Sequence, residues 1–328
     1  MSASRDLLVD TATSLFDAVD PAGGFAAGWA RVADAGLPLL LVPESAGGFG
    51  GDAGDLFAIL RIAGARALAL PVGETIVATA MLAGTTPADQ ALSFADSHDG
   101  RLDRDRYTGV LTAVPWGRDV AGVVVRVADQ LVLLQTRDVE ITEAHSLAGE
   151  PRDTLRFTDA PAKIGPSTAD LRQWGAFLRI AQSAGALDRA LEMSIEHANA
   201  RQQFGKPLAK LQAVQQTLAV FAVEAAAVNS AGEAAATALD HGDASFEIPA
   251  AKLRANQAIG IGTATAHQVH GGIGFTHEYP LHRLTRRLMG WRSEYGNDAF
   301  WAAELGRQAA ALGPEGLWAE IARRGDRS

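Results

Sequence analysis

The sequence predicts an α+β protein with three segments: an N-terminal all-α domain, a small middle β-sheet domain and a C-terminal antiparallel helix bundle. Three observations lead to this class. Apolar residues recur at helical spacing near the N-terminus, short β-branched runs follow between residues 107 and 158, and the helical period then returns and continues nearly to the end. We therefore place the domains at residues 1–90, 91–165 and 166–328.

Composition excludes several classes of function. The 328-residue chain contains no cysteine, so disulfides, thiolate metal sites and thiol nucleophiles are excluded. The formal net charge of −9 argues against a general nucleic-acid-binding protein. The longest strongly apolar run, LPLLLVP, is too short to cross a bilayer, and the N-terminus lacks the pattern of a signal peptide. We therefore expect a cytoplasmic protein with no nucleic-acid partner and no membrane partner.

The N-terminal and middle segments differ in the period of their apolar residues. Helices are predicted over RDLLVDTATSLFDAV, over FAAGWARVADAGL and from about Asp52 to Leu68, with glycine and proline turns between them. In the middle segment the β-branched runs are separated by glycine, aspartate and proline, which predicts short strands. These runs are YTGVLTAV, VAGVVVRVA, QLVLLQT, VEIT and TLRFT.

Five helices make up the predicted bundle. The second has Pro207 in its first turn, the third stops at Gly271 and Gly272, the fourth starts near Pro280, and the fifth follows Asn297 as its N-cap. Apolar stripes mark the faces expected to be buried. They contain Leu171, Trp174, Leu178, Leu187, Leu191 and Ile195 in the first helix, Leu211, Val214, Leu218, Phe221, Ala225 and Val228 in the second, Leu281, Leu284, Leu288 and Trp291 in the fourth, and Trp301 and Leu305 in the fifth.

The first motif that could carry chemistry is ARQQFGKPLAKLQAVQQTLA, residues 200–219. Arg201 follows a helix and precedes a turn that Gly205 permits, while Phe204 packs nearby. A guanidinium group in this position can bind a phosphate through two parallel hydrogen bonds. The loop is therefore a candidate anion site, although a surface arginine between two helices is the better interpretation of this motif alone.

The second motif is HQVHGGIGFTHEYPLHRLTRR, residues 267–287. The absence of side chains at Gly271, Gly272 and Gly274 would let a ligand approach the backbone closely. A glycine helix stop with Phe275 filling a gap in the core is a compatible interpretation. The helix stop interrupts the spacing of the histidines and no carboxylate ligand accompanies them, so we expect packing or surface roles and no metal at His267, His270 and His277.

Together the two motifs resemble the acyl-CoA dehydrogenase family, flavoproteins that oxidise an acyl-CoA thioester to the 2,3-enoyl thioester. The segment WARVADAGLPLLLVPESAGGFGG resembles the same family near its N-terminus. The resemblance implies FAD as the cofactor, an acyl-CoA substrate and an electron-transfer flavoprotein as the electron acceptor. It also implies that the FAD-binding residues are Arg201 at the diphosphate, Phe204, Gln212 at the adenine, Gln268, Gly271, Gly272 and Gly274.

The family needs a carboxylate base to remove the α-proton while the β-hydrogen leaves as hydride. The base usually precedes a glycine on the helix after the glycine loop, but here Tyr295 precedes Gly296 and Glu294 lies one residue early. On a helix this offset is about 100° of rotation. Some members place the glutamate on the first bundle helix, where the matching position is Gly175. Glu294 is therefore the candidate base of this chain, with a base supplied by another chain as the alternative.

The middle segment departs from the family pattern as well. Full-length members form part of the flavin ring pocket there, and the matching residues ALSFADSHDGRLD carry none of that motif. The chain is therefore similar to the short, base-deficient subunits of heteromeric actinobacterial acyl-CoA dehydrogenases, in which a longer sister chain completes the site. Such complexes imply bulky substrates such as steroid side-chain thioesters. A homo-oligomer that uses Glu294 and a non-catalytic scaffold of a dehydrogenase complex are the alternatives.

Overall fold

The computed structural model describes residues 3–20, 23–83, 86–96, 99–137, 139–166, 169–203 and 205–325. Its elements follow the predicted order of helices, strands and helices, so the predicted fold class is confirmed. By spatial contacts the chain forms two compact units, residues 1–60 with 68–178, and residues 61–67 with 179–328. This division does not test the three predicted domains, which stay a prediction.

Four helices lie in the N-terminal segment. Their bounds are Ala3–Asp17 (α1), Gly24–Asp34 (α2), Ala53–Ala65 (α3) and Val72–Met81 (α4). The first three match the prediction. Helix α4 was not predicted because it is buried almost all round and so has no amphipathic period to reveal it. Its Thr75 hydroxyl donates to the carbonyl of Leu92 at 2.8 Å and ties the helix to the first strand.

The middle segment forms a seven-stranded sheet. Its strands are Leu92–Ala95 (β1), Arg101–Asp103 (β2), Arg106–Pro115 (β3), Gly122–Val127 (β4), Gln130–Gln135 (β5), Glu140–Thr142 (β6) and Arg152–Gly165 (β7). The order is β1-β4-β5-β7-β3-β2, with β6 also paired to β7; β1 and β4 are parallel, and the other pairs are antiparallel. The five predicted strands are present. Strands β1 and β2, in the segment that departs from the family pattern, were not predicted.

The C-terminal helices are Leu171–Ala200 (α5), Gln212–Asp240 (α6), Glu247–His270 (α7), Leu281–Trp291 (α8) and Asp298–Gly325 (α9). A hairpin of two short strands, Gln202–Gln203 (β8) and Lys206–Pro207 (β9), separates α5 from α6. The Asn297 side chain accepts a hydrogen bond from the Phe300 N–H at 3.0 Å, as expected of an N-cap. The apolar stripe of α8, from Leu281 to Trp291, is buried as predicted.

Two predictions about the bundle are wrong. Pro207 lies in strand β9, because the hairpin and a 3₁₀ turn at Leu208–Lys210 delay the start of α6 to Gln212. On α5, Ile195 is 42% exposed, and the buried positions nearby are Met193, Ser194 and Ala198. The buried positions of this part of α5 are Leu187, Ala190, Ser194 and Ala198, so its buried stripe lies beside the predicted one.

One helix in the described residues, α6, is long and apolar enough to span a membrane. A single helix of this kind is weak evidence, because core helices of soluble proteins meet the same criterion. Only 28% of its most apolar window is buried, and Val220 and Val223 are among its exposed residues. A long apolar helix face without cover in the single chain is typical of a surface that meets another chain.

Candidate functional site

A cavity of about 530 Å³ lies where the ends of three helices meet in the C-terminal unit. Its volume is within the range of ligand pockets in proteins. It is formed by the end of α5, the β8–β9 hairpin, the first turns of α6, the end of α7 and the glycine turn that follows. The lining residues are His197, Arg201, Gln203, Leu208, Ala213, Val214, Thr217, Gln268, Val269, His270, Gly271, Gly272 and Ile273.

Arg201 is held at the edge of this cavity by its backbone. Its N–H donates to the carbonyl of His197 at 2.9 Å, and its carbonyl accepts from the Leu208 N–H at 2.9 Å. Gly205 turns the hairpin with φ of 73°, a conformation that favours glycine. Phe204 lies outside the described residues. Within those residues the Arg201 guanidinium makes no ion pair and no hydrogen bond, so its donors are available to a ligand.

The glycines of the second motif have two different roles. Gly271 ends α7 with φ of 61° and ψ of −141°, and a β-carbon at either Gly271 or Gly272 would meet no atom within 4 Å. Both line the cavity and leave open space that a ligand can occupy. A β-carbon at Gly274 would lie 2.9 Å from the β-carbon of His270. Packing therefore explains Gly274, which is not in the lining, and its predicted contact with a cofactor stays untested.

Gln268 and Gln212 occupy different positions relative to the cavity. Gln268 is exposed in the last turn of α7 and lines the cavity. Gln212 is the first residue of α6 and is exposed, but it is not in the lining, whereas Ala213 and Val214 are. The structure thus brings Arg201, Gln268, Gly271 and Gly272 together, from two motifs that are distant in the sequence.

The first turn of α6 is a feature that the sequence analysis missed. The N-cap residue, Leu211, has an extended backbone and no side-chain hydrogen bond to the helix. The N–H groups of Ala213 and Val214 have no acceptor in the described residues, and both residues line the cavity. Uncapped N–H groups and the helix dipole favour an anion at such a position. The absence of a capping side chain at Leu211 is the sequence signal that could have indicated it.

The histidines of the glycine motif pack within the protein or lie at its surface. The Nε2 atom of His267 lies 3.1 Å from the hydroxyl of Thr285, and its ring stacks on Phe275 with centroids 4.4 Å apart. His277 is exposed. In the described residues no cluster of histidine, cysteine and acidic side chains could hold a metal ion. His270, in contrast, is buried and lines the cavity.

Comparison with known proteins identifies the fold and the family. Residues 172–309 match the acyl-CoA dehydrogenase C-terminal domain. Acyl-CoA dehydrogenase IpdE2 of Mycobacterium tuberculosis is 28% identical over 269 residues, which cover 78% of this chain and 77% of IpdE2. The ChsE4-ChsE5 complex of M. tuberculosis contains a chain with a TM-score of 0.86 and 24% identity, with 96% of this chain and 99% of that chain covered.

Residues 172–309 of this chain belong to the acyl-CoA dehydrogenase C-terminal domain family. A variant of the Tcur3481-Tcur3483 steroid ACAD has the same fold, with a TM-score of 0.83 and 23% identity over 93% of this chain and 97% of that one. A glutaryl-CoA dehydrogenase from Mycobacterium smegmatis in complex with FADH2 also has this fold. Its TM-score is 0.78 and its identity 17%, with 94% of this chain and 95% of that chain covered. The predictions of an acyl-CoA dehydrogenase-type oxidoreductase and of FAD as its cofactor are thereby confirmed.

The cavity of this dehydrogenase fits part of that cofactor. The diphosphate of FAD carries two negative charges and needs cationic or N–H donors. Within the described residues, Arg201 offers a guanidinium without a protein partner and the first turn of α6 offers N–H groups without an acceptor. Gly271 and Gly272 leave room for close backbone approach. These groups come from three separate elements and converge on one space, as anion sites built from backbone and arginine do.

The candidate base of the dehydrogenase lies elsewhere. Glu294 is in the turn between α8 and α9, so the helical rotation assumed above does not apply. Its Oε2 accepts a hydrogen bond from Nε of Arg179 at 2.6 Å, and the Arg179 side chain is 2% exposed. Tyr295, at the usual position of the base, has φ of 54° and a ring centroid 5.5 Å from the Arg179 guanidinium carbon. The Glu294 carboxylate therefore has a structural partner, and its catalytic role stays a prediction.

Proposed function

We propose that this chain is one subunit of an FAD-dependent acyl-CoA dehydrogenase, in which its C-terminal cavity binds the diphosphate of FAD and a sister chain supplies the catalytic base. The observation that carries the proposal is the Arg201 guanidinium, unpaired within the described residues, in a cavity with Gly271 and Gly272. In the reaction, a carboxylate takes the α-proton of the acyl-CoA, the β-hydrogen leaves as hydride, and the enoyl-CoA forms. FAD, when bound, accepts that hydride.

In this proposal, binding and orientation of FAD fall to this chain's own residues. Arg201 and the N–H groups of Ala213 and Val214 would neutralise and position the diphosphate. Gly271 and Gly272 would admit the dinucleotide at van der Waals distance, and Gln268 would contact it with a neutral amide. Because Glu294 pairs with Arg179, we place the proton-abstracting carboxylate on the other chain.

The proposal also covers the partner chain, the substrate class, the electron acceptor and the location of the protein. The ChsE4-ChsE5 complex supports a hetero-oligomer, and the uncovered apolar face of α6 is a surface that a sister chain could bury. A bulky, steroid-derived acyl-CoA is supported by the likeness to the steroid ACAD. An electron-transfer flavoprotein as the acceptor and a cytoplasmic location remain predictions. A scaffold subunit without a cofactor is the alternative function.

Replacing Arg201 tests the site directly. We expect Arg201→Ala, made in the complex with a longer acyl-CoA dehydrogenase chain, to weaken FAD binding about 10- to 100-fold, because a charge-assisted pair of hydrogen bonds is lost. Flavin content is measured from the visible absorption of the purified complex, and reduction from its bleaching by acyl-CoA. The matched control is Arg307→Ala, an exposed arginine paired with Glu304 on α9. Equal flavin content in both variants would contradict the proposed site, and a colourless wild-type complex would favour the scaffold.

Glu294→Gln separates a structural role from a catalytic one. We expect the unfolding free energy to fall by about 2 kcal/mol, because the buried Arg179 loses its counter-charge, while turnover of the assembled complex stays within about twofold. Urea unfolding and acyl-CoA-dependent flavin bleaching give the two quantities. The control, Glu304→Gln, alters an exposed pair with Arg307 and should change stability by less than about 0.5 kcal/mol. Loss of turnover in a folded, flavin-loaded Glu294→Gln complex would identify Glu294 as the base.

A further inference from the structure

His197 is a second polar group at the proposed diphosphate site, one helical turn before Arg201. The carbonyl of His197 accepts the Arg201 N–H at 2.9 Å, so Arg201, directly after α5, lies on the side of the chain that carries His197. Both side chains line the cavity. The imidazole ring of His197 stacks on that of His270, with centroids 4.7 Å apart and planes 29° from parallel. The stacking fixes the position of the His197 ring at the cavity wall.

Hydrogen bonds within the protein occupy both ring nitrogens of the stacked partner, His270. Nδ1 of His270 lies 2.7 Å from the carbonyl oxygen of Ala266, which can only accept, so Nδ1 carries the proton. Nε2 lies 3.1 Å from the Tyr279 hydroxyl and, in the neutral ring, accepts its hydrogen bond. Both ring nitrogens of His270 thus have partners within the protein. The contact with a ligand in the cavity is left to His197.

The ring nitrogens of His197 are available to the cavity. In the described part of the chain neither nitrogen has a hydrogen-bond partner, and the ring is half-buried. Burial, then the neighbouring His270 and Arg201, lower the pKa of His197 below its ordinary value. Tyr279 faces the pair from the loop after α7, the lining residues from α6 are uncharged, and Glu196, next to His197 on α5, pairs with Arg189. A bound anion would raise the pKa of His197 again, since a negative charge beside the ring favours its protonated form.

We propose that His197 is a second ligand of the diphosphate and takes up a proton when the anion binds, so that affinity for the dinucleotide rises as the pH falls. This inference rests on the proposed function, because it needs a diphosphate beside Arg201. The linkage has a defined sign. Above the pKa of His197 in the complex the ring stays neutral in both states, and below its pKa in the free protein it is charged in both. As the pH falls, affinity for the dinucleotide therefore rises between these two pKa values and is constant outside that range.

ADP-ribose is a suitable probe, because both phosphates of its single diphosphate are esterified and do not titrate near neutral pH. Using the full chain in its complex and freed of flavin, we expect calorimetry to show binding that tightens about five- to tenfold between about pH 8 and 6, the range around an ordinary histidine pKa. Titrations near pH 7 in two buffers of different ionisation enthalpy should show uptake of up to about one proton.

His197→Gln keeps an N–H donor and removes the titration. This variant should bind ADP-ribose nearly as well as wild type at about pH 8 and lose the tightening at about pH 6. His241→Asn, at the far end of α6, should behave as wild type. If Arg201→Ala weakens binding while His197→Gln retains the full pH dependence, the inference about His197 is overturned and the proposed site stands. If wild-type protein binds no ADP-ribose at any pH, the proposed function itself fails.

Discussion

Gly185→Ala is expected to lower the unfolding free energy by about 3 kcal/mol or more, the upper range for overpacking a core. A β-carbon at Gly185 would lie 1.8 Å from the carbonyl oxygen of Arg61, and one at Gly64 would lie 2.0 Å from the carbonyl oxygen of Gln182. The two glycines thus let the end of α3 cross α5 with the backbones in contact. Since the obstructing atoms are backbone atoms, no side-chain rotation can relieve the clash.

Gly306→Ala is the matched control. It is a helical glycine on α9 whose added β-carbon would meet nothing within 4 Å, so this change should stabilise the protein by about 0.5–1 kcal/mol through helix propensity. Urea unfolding of both variants gives the difference. The crossing is further fixed by the Arg61–Asp188 ion pair at 2.9 Å and by the Asn229 amide, which donates to Asp188 at 3.0 Å. A Gly185→Ala protein as stable as wild type would mean that α3 does not approach α5 in this way.

The second large effect concerns the buried Lys252. Its Nζ donates to Oδ1 of Asn256 at 2.7 Å and to the carbonyl of Trp291 at 3.0 Å, with the carbonyls of Arg292 and Gly296 at 3.4 and 3.3 Å. These carbonyls belong to the end of α8 and the turn that carries Glu294. Burial lowers the pKa of Lys252 from 10.5 to about 7, with Glu294 opposing the shift and Arg179 adding to it.

Lys252 should therefore make stability depend on alkaline pH. Between about pH 7 and 10.5 the unfolded chain binds a proton that the folded chain does not, so the unfolding free energy should rise with pH in this range. A shift of this size corresponds to at most about 4–5 kcal/mol. In Lys252→Met the rise should disappear, whereas Lys210→Met, at an exposed lysine, should retain it. Urea unfolding at several pH values measures both, and a wild-type protein with pH-independent stability in this range would contradict the assignment.

The sequence predicted more of the fold where local patterns are strong. The glycine stop of α7, the Asn297 cap of α9 and the apolar stripe of α8 depend on residues within a few positions of one another. Helix α4 and strand β1 escaped prediction because they are buried on several sides and so lack a polar face. The exposure of Ile195 escaped it because the buried stripe there is formed by small residues, Ala190, Ser194 and Ala198, which give little apolar signal.

The candidate site was predicted only in part for the same physical reason. Its residue types were visible in the two motifs, because an arginine before a glycine turn and a side-chain-free helix end have local stereochemical meaning. The uncapped start of α6 was missed because its signal at Leu211 can be recognised only once the helix bounds are known. The stacked pair of His197 and His270 was missed because it needs a contact between α5 and α7.

By itself, the sequence determined the order of helices and strands, the family motifs and the side chains offered to an anion. Local hydrophobic period and the backbone freedom of glycine are properties of short segments. Only the tertiary structure decided that Arg201 and Gly271 line one cavity and that Glu294 pairs with Arg179. Those outcomes depend on which distant segments pack together, and no local pattern specifies that.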